Sequence, residues 1–476
     1  MAAASPELRH VAMLPFMAKG HAMPLLHLTR LLLARGLASK VTFFTTPRDA
    51  PFIRASLAGA GAAAVVELPF PTDDGLNDGA APPQSMDDEL ASPSQLADVV
   101  AASAALRPAF AAAFARLEPR PDVLVHDGFL PWDERAAADA GGVPRLVSYG
   151  MSAFATYVAG AVTAHKPHAR VGSPSEPFEV DGLAGLRLTR AGLNPPFDAP
   201  EPTGPLGDLV CKTKARRGSR EGIIVNSFVE LEALCFDGWS RMSPVKLWPV
   251  GPLCLAFEPG RNMDRDISDW LDSRLAMNRP VLYIAFGSQA ELSWTQLEEI
   301  ALGLDQSGLD FLWVVRSKWF DSDDRFENRF GDKGKVYQGF IDQFGVLSHK
   351  SIKGFFSHCG WNSVLESISM GVPILAFPMA AEQKLNAKFV VDVLRVGLRV
   401  WPKKRKDDME NGLVAREEVQ VMVRELIFGE EGKRVSTRVS ELAVLSKKAM
   451  EIGGSSYTKL EEMVHEISEL TRDKSM

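Results

Sequence analysis

The chain has few cysteines, and none of them shows a spacing that builds a site. Its four cysteines, Cys211, Cys235, Cys254 and Cys359, lie far apart and form no C-x-x-C pair. Neither a zinc site nor a disulfide framework is indicated by such spacing. Unpaired cysteines in a chain of this size are typical of a reduced compartment, so we expect a cytoplasmic protein.

Long apolar runs and an excess of positive charge are also missing. No run approaches the roughly 18–20 apolar residues that span a bilayer. The N-terminus, MAAASPELRH, lacks the basic flank and apolar stretch of a signal peptide. A net charge of −7 offers no basic surface to nucleic acid or to an anionic membrane. The basic run at 402–406 is followed at once by acidic residues, which favours a solvated loop over a targeting signal. We therefore expect a monomer with neither kind of partner.

What the chain does contain is a regular alternation of short apolar runs and helical patterns. In the first half, helical patterns at 23–36 and 133–140 separate apolar runs. In the second half the same alternation returns. The predicted strands are HVAMLPFM, KVTFFTTP, PDVLVHD and PRLVSYG, then PVLYIAFGS, DFLWVV, KGFFSH, VPILAFP and GLRVW. Near-continuous apolar strands between helices predict parallel sheets covered on both faces, which is an α/β fold present twice.

Composition places the boundary between the two halves. Residues 243–254 carry three prolines and a glycine, which predicts a linker between domains 1–242 and 255–455. Residues 456–476 form an amphipathic helical pattern. Alanine is frequent in the first half and sparse in the second. Two hypotheses account for this: a chimera of two related parents, or a natural gene with uneven base composition.

One strand-to-helix turn, GFFSHCGWNSVLES at 354–367, gathers polar groups after an apolar run. A helix N-terminus presents unsatisfied N–H groups and a positive dipole end, and so attracts phosphate. Gly360 would let an anion approach the backbone, and His358, Asn362 and Ser363 would add donors. The alternative is that Ser357 or Asn362 merely caps the helix.

The surroundings of this turn resemble a known sequence signature. Residues 340–383 resemble, in length and in spacing, the signature box of the plant family 1 UDP-sugar-dependent glycosyltransferases. The matching features are Gln343, His349, HCGWNS, Glu366, GVP at 371–373, Pro378 and the terminal Glu382-Gln383. Outside the box, the resemblance extends to IIVNSFVELE (223–232), PVGPL (249–253), VLYIAFGS (281–288), FLWVVR (311–316) and GGSS (453–456).

The resemblance implies a fold and a donor site. The family has the GT-B fold: two Rossmann-like domains face each other across a cleft, the sugar nucleotide lies mainly on the C-terminal one, and the last helix returns to the N-terminal one. His358, Asn362 and Ser363, helped by Ser288, would hold the diphosphate, and Glu366 would accept from the ribose hydroxyls. Glu382 and Gln383 would bind the sugar hydroxyls, and Trp361 would line the sugar pocket and donate its backbone N–H. Phe340, where the family usually has tryptophan, would stack on the uracil. The remaining donor-binding residues are Ile341 and Gln343.

The catalytic residues are expected in the first half. His21 follows the first strand, at the carboxyl end where open α/β sheets place their sites. It matches the family's catalytic base. Asp127, just past another strand end, matches the aspartate that orients this base. His126 competes with Asp127, but adjacent strand residues point to opposite faces, and we favour Asp127. The implied reaction is displacement at the anomeric carbon with inversion.

The resemblance says less about the substrates. UDP-glucose is the expected donor, because Gln383 ends the box where galactose-preferring relatives often carry histidine. The expected acceptor is a small aromatic molecule such as a flavonoid, and O-, C- and N-linkage stay open. The pocket for this acceptor is expected to include Phe16, Gly20, Phe129, Tyr149 and Phe154.

Three other readings are available. The D-x-D at 321–323 resembles a metal-binding motif of the other large glycosyltransferase fold, but it lies in an acidic, polar stretch that favours a solvated loop. We therefore expect no metal and no cofactor. An oxidoreductase would carry G-x-G-x-x-G after the first strand, where this chain reads AKGHAM. A non-catalytic sugar-nucleotide binder would be expected to have lost His21 or Asp127, and this chain keeps both. A differently specific nucleotide-binding α/β protein stays an alternative.

Overall fold

A computed structural model describes residues 8–69, 85, 96–130, 132, 142–183, 185–204, 207–208, 222–256, 263–287, 292–315, 330–400 and 413–473. The chain divides into two compact units. The first comprises Met1–Ala256 together with Ala449–Met476, and the second comprises Phe257–Lys448. Each unit is an α/β structure built on its own parallel sheet, as the alternation in the sequence predicts.

The first unit contains a seven-stranded sheet in the order β3-β2-β1-β4-β5-β8-β9, with every neighbouring pair parallel. Strands β6 and β7 form a separate antiparallel pair. The strands are β1 (Val11–Leu14), β2 (Val41–Thr45), β3 (Ala63–Glu67), β4 (Val123–Asp127), β5 (Arg145–Ser148), β6 (Phe178–Glu179), β7 (Arg187–Leu188), β8 (Gly222–Val225) and β9 (Leu247–Pro249). The described helices are α1 (Lys19–Ala34), α2 (Ala50–Leu57), α3 (Leu96–Ala102), α4 (Arg107–Phe114), α5 (Ala153–His165), α6 (Val229–Met242) and, from the C-terminus, α14 (Ser455–Asp473).

Both faces of this sheet are covered. Alternate residues of β1 serve opposite faces: Val11 and Met13 pack with α1, α2 and α14, whereas Ala12 and Leu14 pack with α3 and α4. This explains why the strands are continuous apolar runs. The C-terminal helix α14 contributes Leu460, Met463, Val464 and Ile467 to the same core, one apolar stripe at helical spacing.

The second unit contains a six-stranded parallel sheet in the order β12-β11-β10-β13-β14-β15. Its strands are β10 (Val281–Ala285), β11 (Asp310–Val315), β12 (Gly334–Gln338), β13 (Ile352–Ser357), β14 (Ile374–Ala376) and β15 (Gly397–Arg399). The helices are α7 (Arg265–Ala276), α8 (Trp294–Ser307), α9 (Gln343–Ser348), α10 (Trp361–Met370), α11 (Gln383–Lys388), α12 (Arg416–Phe428) and α13 (Glu430–Met450), with a π-helical turn at Phe389–Leu394. Helices α8 and α12 cover one face, and α7 and α9 cover the other.

The segment 243–254 is not the linker that its prolines and glycine predict. Its residues Leu247–Pro249 form the edge strand β9, paired with β8, and Trp248 and Val250 are buried. Proline is compatible with an edge strand because no ladder hydrogen bond is needed on the open side. The first unit therefore continues to Ala256, and the second unit ends at Lys448, within α13.

Several predicted features lie outside the described residues. These are Ser288, Cys211, the helical pattern at 133–140, the D-x-D at 321–323 and the basic run at 402–406. Within the described part of the chain, Cys235, Cys254 and Cys359 are buried. No helix in that part has the length and apolar character that crossing a membrane requires.

Candidate active site

The strand order of the first sheet reverses direction between β1 and β4. In open α/β sheets, ligands bind at the carboxyl ends of the strands on either side of such a switch point. His21 lies in the first turn of α1, directly after β1, and Asp127 is the last residue of β4. The sheet topology thus brings together two side chains that are far apart in the sequence.

These two side chains are in hydrogen-bonding contact. His21 Nδ1 lies 2.7 Å from Asp127 Oδ2. The second carboxylate oxygen, Oδ1, accepts from the Phe129 backbone N–H at 2.9 Å. Asp127 is only 1% exposed, while His21 is 23% exposed. A carboxylate fixed at both oxygens favours the Nδ1–H tautomer of the imidazole and leaves Nε2 as a proton acceptor.

His126 does not share this arrangement. It is buried, and its Nδ1 lies 3.1 Å from the Asp127 backbone carbonyl oxygen. The alternation of side chains along β4 therefore sends only Asp127 toward His21, as the sequence predicts.

Aromatic rings surround the histidine. The ring centroids of Phe16 and Phe129 lie 5.5 and 5.2 Å from that of His21, both edge-on. Tyr149 covers Gly128, where an added Cβ would lie 1.9 Å from the tyrosine ring. Gly20 is exposed at the start of α1, and Phe129 and Tyr149 are partly exposed.

Two of the predicted acceptor-pocket residues are placed differently from the prediction. Phe16 is 1% exposed and Phe154 is fully buried. Both rings fill the core and so support the surrounding side chains, and neither offers a face to a ligand. The partly exposed aromatic surface near His21 comes from Phe129 and Tyr149.

The second sheet has its own switch point, between β10 and β13. Gly287 follows β10 closely, and the turn Ser357–Gly360 follows β13. Gly360 is the N-cap of α10, and a glycine has no side chain with which to cap the helix. Ser357 Oγ instead accepts from the Cys359 N–H at 3.1 Å. The capping alternative for Ser357 therefore fails, and the helix start has the chemistry that suits an anion.

His358 sits between two glycines at this edge. A Cβ on Gly360 would lie 2.5 Å from His358 Nε2, and one on Gly287 would lie 2.7 Å from the same atom. Burial lowers the pKa of His358 to about 4. The imidazole is therefore neutral near pH 7, and it can donate one N–H hydrogen bond.

A polar network joins three of the predicted donor-binding residues. Gln343 Nε2 donates to Ser363 Oγ at 2.9 Å and to Glu366 Oε2 at 2.7 Å. Tyr283 donates to Gln343 Oε1 at 3.3 Å. Burial raises the pKa of Glu366 to about 7, against the opposing effect of the bond from Gln343. The carboxyl group is thus poised between its acid and carboxylate forms.

The remaining residues of the signature box differ in how far their side chains are exposed to solvent. Phe340 is 64% exposed and presents a ring to solvent, as stacking on a base requires. Trp361 is 2% exposed and packs near Phe389, with ring centroids 6.4 Å apart, and Ile341 is also buried. The expectation that the Trp361 ring lines a sugar pocket is not met, because its ring belongs to the core. Asn362, at the second position of α10, is partly exposed.

Glu382 and Gln383 lie together at the start of α11. Glu382 Oε1 accepts from Asn386 Nδ2 at 3.2 Å, and the same amide nitrogen donates to the Cys359 carbonyl at 3.0 Å. Gln383 Oε1 accepts from the N–H groups of Met379 and Ala380 at 3.0 and 2.9 Å. The side-chain oxygen of Gln383 thus shapes its own turn, which leaves the amide N–H₂ as the group it can offer.

Three residues next to these sites were missed by sequence reasoning. Gly150, with φ of +66°, packs beside His21, where an added Cβ would lie 3.6 Å from Nδ1. Asn386 connects the turn at Cys359 to Glu382, and Tyr283 holds Gln343. The sequence carries a weak signal for the first, a glycine right after a strand, and for the second, an amide four residues after Glu382 on one helix face.

No group of three or more histidine, cysteine, aspartate or glutamate side chains is close enough to hold a metal within the described ranges. The described side chains of both sites offer nitrogen and oxygen donors and acceptors. One presents a histidine–carboxylate pair, and the other presents a helix start, a neutral histidine and a partly buried carboxyl group.

Comparison with known proteins also divides the chain into two parts. Residues 258–419 match the family described as UDP-glucoronosyl and UDP-glucosyl transferase, and residues 9–179 match the family described as glycosyltransferase, N-terminal domain. UDP-glycosyltransferase 90A1 of Arabidopsis thaliana is 38% identical over 469 residues, covering 96% of each chain. Scopoletin glucosyltransferase of Nicotiana tabacum is 32% identical over 474 residues, covering 96% of this chain and 98% of the relative.

Solved structures show the same similarity. The structure of Phytolacca americana UGT2 complexed with UDP-2fluoro-glucose and pterostilbene matches with a TM-score of 0.79 at 28% identity, covering 97% of this chain and 100% of that one. The fold is the GT-B fold of these enzymes. The chain belongs to the plant family 1 UDP-glycosyltransferases and is a glycosyltransferase that uses a UDP-sugar.

Proposed function

We propose that this enzyme transfers glucose from UDP-glucose to a small phenolic acceptor with inversion at the anomeric carbon, and that His21 is the general base oriented by Asp127. The observation that carries the proposal is the contact of 2.7 Å between His21 Nδ1 and Asp127 Oδ2. The carboxylate holds the imidazole so that Nε2 can accept a proton, and it stabilises the imidazolium that then forms.

In the proposed reaction, His21 Nε2 removes the proton from the acceptor nucleophile. The nucleophile attacks the anomeric carbon on the face opposite the diphosphate and forms the new glycosidic bond. The bond from the anomeric carbon to the diphosphate oxygen breaks, and UDP leaves with the electron pair. A positioned base of this kind contributes about 10²–10⁴-fold to the rate.

The donor is proposed to lie on the second unit. The start of α10, with His358, Asn362 and Ser363, would take up the charge that develops on the diphosphate. Ser288, outside the described residues, is proposed as a further phosphate donor. Glu366 would accept from the ribose hydroxyls, Phe340 would stack on the uracil, and the sugar hydroxyls would meet Glu382 and Gln383.

The acceptor proposal rests on two kinds of support. Phe129 lies against His21, and Tyr149 covers Gly128, next to Asp127. Both aromatic residues are partly exposed, which suits a flat aromatic substrate. The relatives named above include a scopoletin glucosyltransferase and a protein solved with pterostilbene. Scopoletin and pterostilbene are both small phenols. The proposal covers O- and C-linkage equally, since either can start from one histidine base.

The test is to incubate the protein with UDP-glucose, UDP-galactose and UDP-glucuronic acid against a panel of phenols that includes scopoletin, pterostilbene and flavonoids. We expect glucose transfer to at least one phenol, seen as the added mass of one hexose, and unchanged activity in the presence of EDTA. Acid treatment of the product separates an O-glycoside, which is hydrolysed, from a C-glycoside, which survives. Transfer from UDP-galactose alone, or only to non-aromatic acceptors, would contradict the proposal.

A further inference from the structure

The motif IIVNSFVELE ends in a glutamate that the proposed chemistry does not use. Glu232 lies on α6 and is only 2% exposed. Its Oε1 accepts from the Phe154 N–H at 2.7 Å, and its Oε2 accepts from the Ala153 N–H at 3.1 Å. A carboxyl group of one helix therefore binds the first turn of another helix, α5, from within the core.

Glu232 adds to the side-chain cap that α5 already has, and satisfies two more N–H groups of the first turn. Ser152, the N-cap of α5, already accepts from the Ala155 N–H at 2.9 Å. Burial raises the pKa of Glu232 to about 7, and the two N–H bonds oppose this effect. An ionisable group in the core is costly unless it is well hydrogen-bonded. A role in holding the start of α5 in one position accounts for a glutamate at this buried place.

The segment just before α5 reaches the proposed catalytic pair. Gly150 packs beside the His21 imidazole, and a Cβ on it would lie 3.6 Å from Nδ1. Tyr149 covers Gly128, the residue after Asp127. The loop from Tyr149 to Ser152 thus touches one catalytic side chain and the chain neighbour of the other, and the first turn of α5 anchors its far end.

We propose that Glu232 is a positioning residue, which holds the start of α5 and thereby keeps the Tyr149–Gly150 loop packed against His21 and Asp127. This inference rests on the proposed function, because it takes that pair to be the catalytic one. The role is indirect: Glu232 acts on the reaction through two backbone N–H groups and the loop that they anchor.

The physical consequence is specific. If the side chain loses one acceptor oxygen, one N–H of the first turn of α5 is left without its partner, and the turn loosens. The loop then samples other positions, so that the base and the aromatic wall beside it are aligned for less of the time. Acceptor use and turnover should both suffer. Donor binding should not, because the donor-binding residues proposed above belong to the second unit.

Glu232→Gln tests this inference with little change in volume. Glu230→Gln is the matched control, since it removes the same charge from the same helix at an exposed position. We measure kcat and both KM values with UDP-glucose and the best phenol of the panel. Amide hydrogen exchange over 149–156 is followed in parallel. For Glu232→Gln we expect kcat to fall about tenfold, the scale of one hydrogen bond to a charged group. We also expect a raised acceptor KM, an unchanged KM for UDP-glucose and faster exchange over 149–156, with none of these in Glu230→Gln.

A second variant covers the case in which Glu232→Gln does not fold. Ser152→Ala removes the N-cap acceptor of the same helix start and should give the same pattern of kinetic and exchange changes to a smaller extent. Unchanged exchange over 149–156, or an equal rise in both KM values, overturns the inference. If exchange quickens as expected while His21→Ala stays active, the link between Glu232 and the loop stands and the proposed base fails.

Discussion

The imidazole of His358 occupies space that a side chain on Gly360 would fill. An added Cβ on Gly360 would lie 2.5 Å from His358 Nε2. Contacts this close are not tolerated, so the glycine leaves room for the ring at the edge of the sheet. The ring, in turn, is held at the start of α10, the place proposed for the UDP diphosphate.

Gly360→Ala should therefore displace His358 and weaken donor binding. Its φ of −58° suits any residue, so the substitution introduces no backbone strain of its own. We expect the Kd of UDP, measured by calorimetry, to rise about tenfold, the loss of roughly one hydrogen bond. Gly287 and Gly308 both have a positive φ, of +82° and +71°, so an alanine is strained at either position. Gly287→Ala should also displace His358 and weaken UDP binding, whereas Gly308→Ala, with open space around it, should lower stability alone. Unchanged UDP affinity in Gly360→Ala would contradict this assignment.

UDP binding should release a proton from Glu366 near neutral pH. Burial raises the pKa of this group to about 7 in the free protein. Ribose hydroxyls donate to the carboxylate, so bound UDP lowers that pKa, and affinity should fall as the pH drops below 7, by at most about tenfold per unit. Calorimetry at pH 6.5 in two buffers of different ionisation enthalpy gives the proton count. The same measurement on Glu366→Gln is the control. Any proton uptake by His358 occurs in both the variant and the unaltered enzyme, so the difference between their proton counts is the proton released from Glu366. Equal counts would rule out this role.

Phe340→Trp should leave UDP-glucose affinity unchanged or increase it. The phenylalanine ring is 64% exposed, and tryptophan would add stacking area without disturbing a core. Each base–aromatic stack contributes on the order of 1–3 kcal/mol, so Phe340→Ala should weaken UDP binding by roughly tenfold or more. Calorimetry with UDP measures both variants. A large loss of affinity in Phe340→Trp would show that the base does not stack there.

Gln383→Glu separates the two functions of this side chain. Glutamate keeps an oxygen for the N–H groups of Met379 and Ala380, so the turn should survive and the melting temperature should change little. It removes the amide N–H₂ proposed to donate to the sugar. We expect the KM for UDP-glucose to rise about tenfold, the value of one lost hydrogen bond, while the Kd of UDP alone stays the same. A matching loss of UDP affinity would place the defect in the turn instead.

The strands predicted from the sequence include every interior strand of the two described parallel sheets except β8, but only one of their four edge strands, β15. Central strands such as β10 are buried on both faces and so read as unbroken apolar runs. Edge strands β3 and β12 are only partly buried. Strand β12 is of mixed composition and gives no such run, whereas β3 has a short run of alanine and valine. Strand β9 was hidden by its prolines, since local composition cannot show that an unpaired edge tolerates them.

Site residues that the sheet topology brings together could be predicted from the sequence. Which side chains are exposed to a ligand could not be predicted, because exposure depends on packing. Parallel strands end at one edge of a sheet, so His21 and Asp127 could be placed together although 106 residues separate them. Which aromatic ring faces solvent depends on packing from several distant segments. This is why Trp361 and Phe154 were expected at ligands and lie in the core. Glu232 is the converse: an acid in a helical pattern suggests a solvated face, yet it is buried.

The central claim is that His21 is the base of the transfer reaction. The most direct measurement is kcat of His21→Ala with saturating UDP-glucose and phenol, with the Kd of UDP determined on the same preparation. The account predicts that kcat falls by about 10²–10⁴-fold, the contribution of a general base, while UDP affinity is unchanged. A variant that turns over at nearly the original rate would contradict the account.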